Sequence, residues 1–439
     1  MIERWSRDQV LALAPDAPSR AAASAVAAPG MWTSPGVAGG VLFGACRGSG
    51  PAPYRACVDL GEPAYRCSCP SRKSPCKHAL GLLLLWSAGH VPEAAALPRW
   101  ASEWPSQGAD ARTAADPAAL PGGGPVLVPE GAGSKAAASD RRAGAGAARH
   151  ARVAAGMAEL ERWLADQVRQ GLAAAGEHEW EGMAKRLVDA QAPGVAGVVS
   201  RLARVRSEDG WPGRLLEEYA LLNLLAVAYR RRAALPPELA ETVLMRAGFP
   251  VTREAVLARP AVRDRWDVLG LRDETQDRLT ARRVWLRGRR TGRPALVLSF
   301  APPGQPLDAS LVTGTTIDAD LAFYPGAAPL RALVATRRPP GGEGGTGRVP
   351  PGVSPDEAMG EVAAALAADP WTDSWPLMLA GVVPGASSVG GFPLRRVTRA
   401  CRRLLAVSGG RPVTVAAEWT PYGLNLLTTW DDDGMAVIL

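Results

Sequence analysis

The chain has 439 residues, more than one compact domain usually holds, with 47% hydrophobic and 21% charged content, so it can bury several cores. Its formal net charge is +7 and its pI about 9.3. Only four of the 50 basic residues are lysines, and Ala, Gly, Pro and Arg are all heavily used, so the balance reflects a compositional bias before it indicates a nucleic-acid partner. No apolar run approaches the ~20 residues that span a bilayer, and the start lacks a basic segment followed by an apolar core and cleavage site; the chain reads as cytoplasmic, with no membrane contact.

In chain order, Trp5 to Leu13 reads as a short helix, with Ser6 as cap and Gln9 as its capping-box partner. Ala21 to Ala28 reads as a second helical piece, and Trp32 to Gly40 as turn-rich. Val41 to Arg47 and Tyr54 to Leu60 are strands, the second alternating as a half-buried strand should. Then comes Cys67-Ser68-Cys69-Pro70-Ser71-Arg72-Lys73-Ser74-Pro75-Cys76-Lys77-His78. Three thiols and an imidazole in one short segment are what a closed tetrahedral Zn²⁺ site takes, whereas iron–sulfur ligation usually takes four thiolates. Cys67 and Cys69, two apart on an extended segment, leave the same face. Ser74-Pro75 reads as N-cap and first helical position, which puts Cys76 and His78 in or just before the first turn. The helix runs on through Ala79-Leu80-Gly81-Leu82-Leu83-Leu84-Leu85-Trp86, apolar nearly all round. Arg66, Arg72, Lys73 and Lys77 form a basic edge. They are candidate phosphate contacts, and they equally offset the negative charge of three thiolates and one Zn²⁺.

The pattern Cys-x-Cys, a short loop, then Cys-x-His resembles the SWIM zinc finger, and the flanking Ala79–Trp86 run resembles the bacterial branch of that family. The resemblance implies two strands before the first ligand pair, a helix after the second, and a module that binds DNA or protein. Glu159-Leu160-Glu161-Arg162-Trp163-Leu164, Val188 to Gly194, and Phe300 to Leu307 are also similar to bacterial SWIM-finger proteins.

Pro105 to about Ala148 is rich in Ala, Gly, Pro and Ser, cannot offset its ordering entropy by burial, and reads as a disordered linker. Beyond it the period becomes helical. Met157, Leu160, Leu164, Val168 and Leu172 mark one helix, Trp180, Met183, Leu187 and Gln191 a second. Val195, Val198, Leu202 and Val205 mark a third, Leu215 to Tyr229 a fourth, and Pro237 to Arg246 a fifth. Trp163 and Trp180 read as core. From about Thr280 the period is two. Arg282 to Arg287 and Ala295 to Phe300 form a hairpin whose tip carries Arg287, Arg289, Arg290 and Arg293, a solvated tip or a phosphate-contacting one. Thr315 to Phe323 and Leu330 to Thr336 are further strands. Pro355 opens a helix to Ala368, Leu394 to Val407 is a basic helix, and Val413 to Trp419 with Leu424 to Trp430 is a closing hairpin.

The predicted fold class is α+β multidomain: a small β-meander/helix zinc finger domain over 1–104, a disordered linker over 105–150, a helical region over 151–279, and an antiparallel α+β region over 280–439. No phosphate loop, His-Glu-x-x-His or Gly-x-Ser-x-Gly is present, and Asp431-Asp432-Asp433-Gly434 reads as a turn. The expected function is a non-catalytic, zinc-binding interaction protein whose finger, tethered to the rest, takes a protein or nucleic-acid partner. The alternative is an enzyme with a structural finger and a catalytic C-terminal region.

Overall fold

The computed structural model describes residues 4–48, 52–61, 64–71, 73–102, 135–174, 176–276, 279–302, 305–338 and 349–439; Arg72 and the linker expected over 105–134 lie outside them. The N-terminal unit begins with α1 (Arg7–Ala12), held by the expected Ser6/Gln9 capping box, and α2 (Ala17–Val26), capped by Asp16. Four antiparallel strands follow in sequence order, β1 (Trp32–Ala38), β2 (Val41–Cys46), β3 (Tyr54–Asp59) and β4 (Ala64–Cys67). Trp32 to Gly40 was expected to be turns and is instead the edge strand β1. An edge tolerates its Pro35. A bulge between Thr33 and Gly36 absorbs the left-handed Ser34, and a side chain at 36 would strike the Phe43 ring.

Helix α3 (Lys77–Ser87) crosses the inner face of this meander, buried from His78 to Trp86. Its apolar girth has a simple cause: β-strands lie on one side, and α1 and α2 on the other. Short α4 (Arg99–Ser102) covers the outer face, where Trp100 meets Phe43 edge-on and Arg55 lies over Trp100.

The bundle is α5 (Lys135–Gln170), α6 (Glu177–Asp189), α7 (Pro193–Val205), α8 (Trp211–Arg230) and α9 (Pro237–Ala247), followed by one short helix, α10 (Arg253–Leu257). The stretch from Lys135 to His150, expected as the end of the linker, belongs to α5. Alanine favours helix there, and the Arg149 guanidinium and His150 ring stack on Phe249 beyond the far end of α9. The predicted stripes meet in one core except at Val168 and Gln191, which are exposed; in that core Trp180 Nε1 donates to the Tyr219 hydroxyl at 2.9 Å and Trp163 packs edge-on to Tyr219. Where α7 starts, its backbone touches the end of α9; a Cβ at Gly194 would sit 2.2 Å from the Arg246 carbonyl oxygen.

The C-terminal region has two layers. Strands β5 (Val262–Gln276), β6 (Leu279–Gly288), β7 (Pro294–Ala301), β8 (Thr316–Phe323) and β9 (Arg331–Arg338) close a barrel in the order β5-β6-β7-β9-β8; all pairs are antiparallel except β7–β9. Strand β5 lies within the stretch assigned to helices. Its Arg263-Asp264-Arg265 run hides the period, because Asp264 is buried and accepts from the Arg265, Arg290 and Thr291 backbone N–H groups and the Thr291 hydroxyl at the β6–β7 tip.

After the barrel come α11 (Pro355–Ala368), β10 (Trp375–Val382), the two-residue strands β11 (Ser388–Val389) and β12 (Phe392–Pro393), α12 (Arg399–Ser408), β13 (Val413–Thr420), β14 (Gly423–Trp430) and β15 (Ala436–Ile438). The helix expected from Leu394 starts later, because the Thr398 side chain caps it by accepting from the Ala400 N–H. The sheet β10-β13-β14-β15 packs on the barrel through Trp285, Leu296, Met378, Ala416, Leu427 and Trp430. Buried Glu418 pairs there with Arg272 and Arg283.

The finger, expected to hang on a tether, is docked on this region. The Tyr65 hydroxyl donates to the Ala309 carbonyl at 3.2 Å, Gln9 Nε2 donates to the Thr313 carbonyl at 2.8 Å, and Ala309 and Val312 belong to the finger's own core. The Ser6 hydroxyl donates to the Ala436 carbonyl, the Arg337 guanidinium donates to the Gly61 carbonyl, and Arg403 pairs with Asp8.

Candidate metal centre

Two elements bring the four predicted ligands together. Strand β4 ends at Cys67 with its side chain on the α3 side of the sheet, and the chain then turns over Cys69-Pro70. The turn is tied back to β3: the Ser68 N–H donates to the Arg55 carbonyl at 3.0 Å, and Ser68 Oγ accepts from the Arg55 N–H at 2.9 Å. The second pair sits at the head of α3. Cys76, rather than the expected Ser74, is the N-cap; its backbone is extended (φ −78°, ψ 168°), and its sulfur accepts from the Ala79 N–H. This extended residue lets Cys76 and His78, which ideal helical spacing would splay, turn to one point.

One donor atom from each of Cys67, Cys69, Cys76 and His78 lies within 4.8 Å of every other, and Cys67 Sγ is 3.7 Å from His78 Nδ1. Zinc–sulfur bonds of about 2.3 Å and zinc–nitrogen bonds of about 2.0–2.1 Å place tetrahedral ligand atoms roughly 3.5–3.8 Å apart, so the cluster closes on an ion by small side-chain movements. Cys76 and His78 are 5% and 3% exposed, and the other two cysteines are half-buried.

The electrostatics fit a cation. Backbone N–H groups point at the sulfurs: Cys69 N–H at Cys67, Ser71 N–H at Cys69, and the His78 and Ala79 N–H groups at Cys76. A hydrogen bond with Cys76, together with burial, pushes the Cys67 thiol up, and burial pushes Cys69 up. The hydrogen bond from Cys67, with those from His78 and the two amides, pulls Cys76 down to about 4. Three sulfurs crowded together resist ionising at once, and a divalent cation is what lets all three do so. The donor set suits Zn²⁺, with Cys67, Cys69, Cys76 and His78 Nδ1 as ligands.

One supporting residue was not foreseen. The Tyr54 ring stacks on the His78 imidazole, centroids 4.8 Å apart and planes 29° from parallel, fixing the ring's orientation. Tyr54 opens β3 opposite Cys46, and no sequence spacing links it to His78.

The predicted basic edge is not one patch. Side chains alternate along β4, so Tyr65 and Cys67 face α3 while Arg66 faces the outer side, opposite Cys57. Lys77 is exposed at the start of α3, on the other side of the sheet. Lys73 is bonded to Asp16 of the α2 cap at 2.7 Å. The hairpin tip is likewise engaged within the molecule. Arg287 pairs with Glu361, Arg289 with Asp267, the Arg290 guanidinium donates to the Arg263 carbonyl, and Arg293 lies 3.7 Å over the Phe323 ring. Asp431 Oδ1 accepts from the Asp433 and Met435 N–H groups, and Asp432 pairs with Arg411, as a turn would have it.

Residues 57–86, from β3 to the end of the apolar helical run, match the SWIM zinc finger family. Residues 148–247, from within α5 to the end of α9, match the SWIM-associated four-helix bundle domain. No curated protein and no solved structure matches the chain. The chain therefore carries a SWIM zinc finger and a SWIM-associated four-helix bundle domain.

Proposed function

We infer that this is a non-catalytic, zinc-binding interaction protein, in which the ion holds the finger's shape and the finger meets a protein or nucleic-acid partner. The observation that carries this reading is the closed donor set: four protein ligands fill a tetrahedral ion's coordination, whereas catalytic zinc keeps a position for water or substrate. The partner's footprint is the exposed knuckle at Ser68, Pro70 and Ser71, with Lys77 and Arg66 on its two flanks. Helix α3, apolar enough to suggest a docking face, is not part of it, since its own domain covers it. Free thiols at all six cysteines accord with a reducing, cytoplasmic setting. No helix among the described residues is long and apolar enough to cross a membrane.

The test is recovery of the tagged full chain from its own cells, with and without Cys76→Ser. The expected result is stoichiometric zinc and a reproducible partner, both lost in the variant. A partner retained by the metal-free variant would overturn the finger's part in binding. A substrate turned over by the zinc-free protein would overturn the non-catalytic reading.

A further inference from the structure

Arginine is abundant in this chain, so an arginine cluster means something only when the fold does not use it. Those around the barrel are engaged: Arg272, Arg282, Arg283, Arg287, Arg289 and Arg338 all pair with carboxylates. The basic segment at α12 differs. Arg396, Arg399 and Arg402 are exposed and make no ion pair among the described residues. Arg403, one turn from Arg399, is anchored to Asp8 of α1, which brings the segment to the edge of the finger domain.

The pattern works against the helix that carries it. Its first turn holds no acidic residue, and Arg399 is its first residue. Cations are disfavoured at the positive end of a helix, and like charges three or four apart, as at 399, 402 and 403, repel. Both effects oppose the helix, and among the described residues no carboxylate pairs with Arg396, Arg399 or Arg402 to offset them. The helix itself is secured by other means: Thr398 caps it, and Cys401 and Leu404 anchor its apolar side in the C-terminal domain. Folding therefore does not call for these three guanidinium groups. A line of phosphates supplies the missing negative charge in the geometry that arginine's planar fork matches.

We propose that Arg396, Arg399 and Arg402 form a second, finger-independent surface that binds the phosphate backbone of a nucleic acid. A lipid surface fits less well. An interfacial helix needs a broad free apolar face, and here that face is buried, leaving only Val397, 66% exposed, beside the arginines. The proposal does not depend on what the finger binds.

The test uses the zinc-loaded full chain and fluorescein-labelled DNA, duplex and single-stranded, with anisotropy followed through a salt titration. The triple variant Arg396→Ala/Arg399→Ala/Arg402→Ala changes only exposed side chains, and its melting temperature should equal or exceed the parent's. Its affinity should fall about tenfold or more at low salt, and the slope of log K against log salt should flatten by about two to three, close to one for each phosphate that an arginine neutralises. An Arg66→Ala/Lys77→Ala variant should keep the α12 contribution, separating this surface from the finger. Parent-like affinity and slope in the triple variant, or no DNA binding by the parent, would overturn the proposal. So would equal binding of polyglutamate or of phosphatidylserine vesicles, since either would make the surface a general polyanion or membrane contact.

Discussion

The finger domain and the helical bundle are of similar length, and they hold their helices by opposite means. In the bundle, helices with one apolar stripe each meet in a continuous core that includes Met157, Leu160, Trp180, Leu187, Val199 and Tyr219; the C-terminal region adds the Trp371 ring, whose Nε1 donates to the Leu221 carbonyl, and no metal ligand enters it. In the finger, one helix is apolar all round and needs a cover on every side. Its four short strands and two short helices supply that cover only with four ligands drawn to one ion and with Ala309 and Val312 lent by the barrel region. Where a domain's own elements leave a helix partly uncovered, metal or neighbours make up the difference. The comparison implies that the finger fails when the ion is lost, that the bundle does not, and that part of the failure reaches the barrel.

The sharpest way to break this contrast is Cys76→Ser, which removes a ligand and weakens the α3 cap. Structural zinc sites contribute on the order of 10–16 kcal/mol of apparent binding free energy, so the variant should lose the metal and unfold the finger. Hydrogen exchange should show residues 54–86 unprotected while 153–229 keep their protection. Unchanged exchange in 54–86 would mean that packing alone holds the finger. The converse change is Trp180→Ala. It opens a cavity in the bundle and strips the Tyr219 hydroxyl of its donor, a loss of about 3–5 kcal/mol. Here the urea midpoint by far-UV circular dichroism should fall while zinc content stays stoichiometric.

The sequence was legible where chemistry is local. The four ligands fall within twelve residues, and their type and spacing announce the ion. Pro355 announces α11, which runs to Ala368 as expected, and β13 pairs with β14 as the expected closing hairpin. It was illegible where a distant element decides the outcome. Strand β1 contains Pro35 and Gly36, which read as turn until β2 is placed beside them. Strand β5 begins with charged residues whose partners lie at another hairpin's tip, and β10 is a short apolar run with no period. The four basic residues around the ligands are neighbours in sequence, yet strand alternation sends Arg66 away from Lys77, and the α2 cap takes Lys73. The docking of the finger through Tyr65 and Gln9 had no local signature at all.

That docking can be sharpened with Tyr65→Phe. The ring still fills its place, but the buried Ala309 carbonyl loses its donor, at a cost of about 0.5–1.5 kcal/mol. Zinc should remain bound, and exchange should rise in 309–314 more than in the finger's strands. A rise confined to the finger would show that the two regions merely touch.

The smallest expected effect lies in the bundle and depends on pH. His150 Nδ1 is 2.9 Å from the Tyr229 hydroxyl, its ring stacks on Phe249, and Arg149 and Arg232 lie over Phe249 and Tyr229. Burial first, and then the two arginines, hold its pKa below the ordinary histidine value. The folded state thus binds a proton less readily than the unfolded one. The stability that His150 contributes is complete above about pH 6.5, the unfolded value, and is lost as pH falls through the window between the unfolded and folded pKa. Acid also protonates zinc ligands, so the quantity to measure is the difference in urea midpoint between the parent and His150→Gln, followed by the bundle's helical signal. Relative to the glutamine variant, the parent should lose stability as pH falls from 7.5 towards 5.5. A difference independent of pH would mean that the stack holds its shape whichever way the imidazole is charged, and that the bundle's end is as indifferent to protons as its core is to zinc.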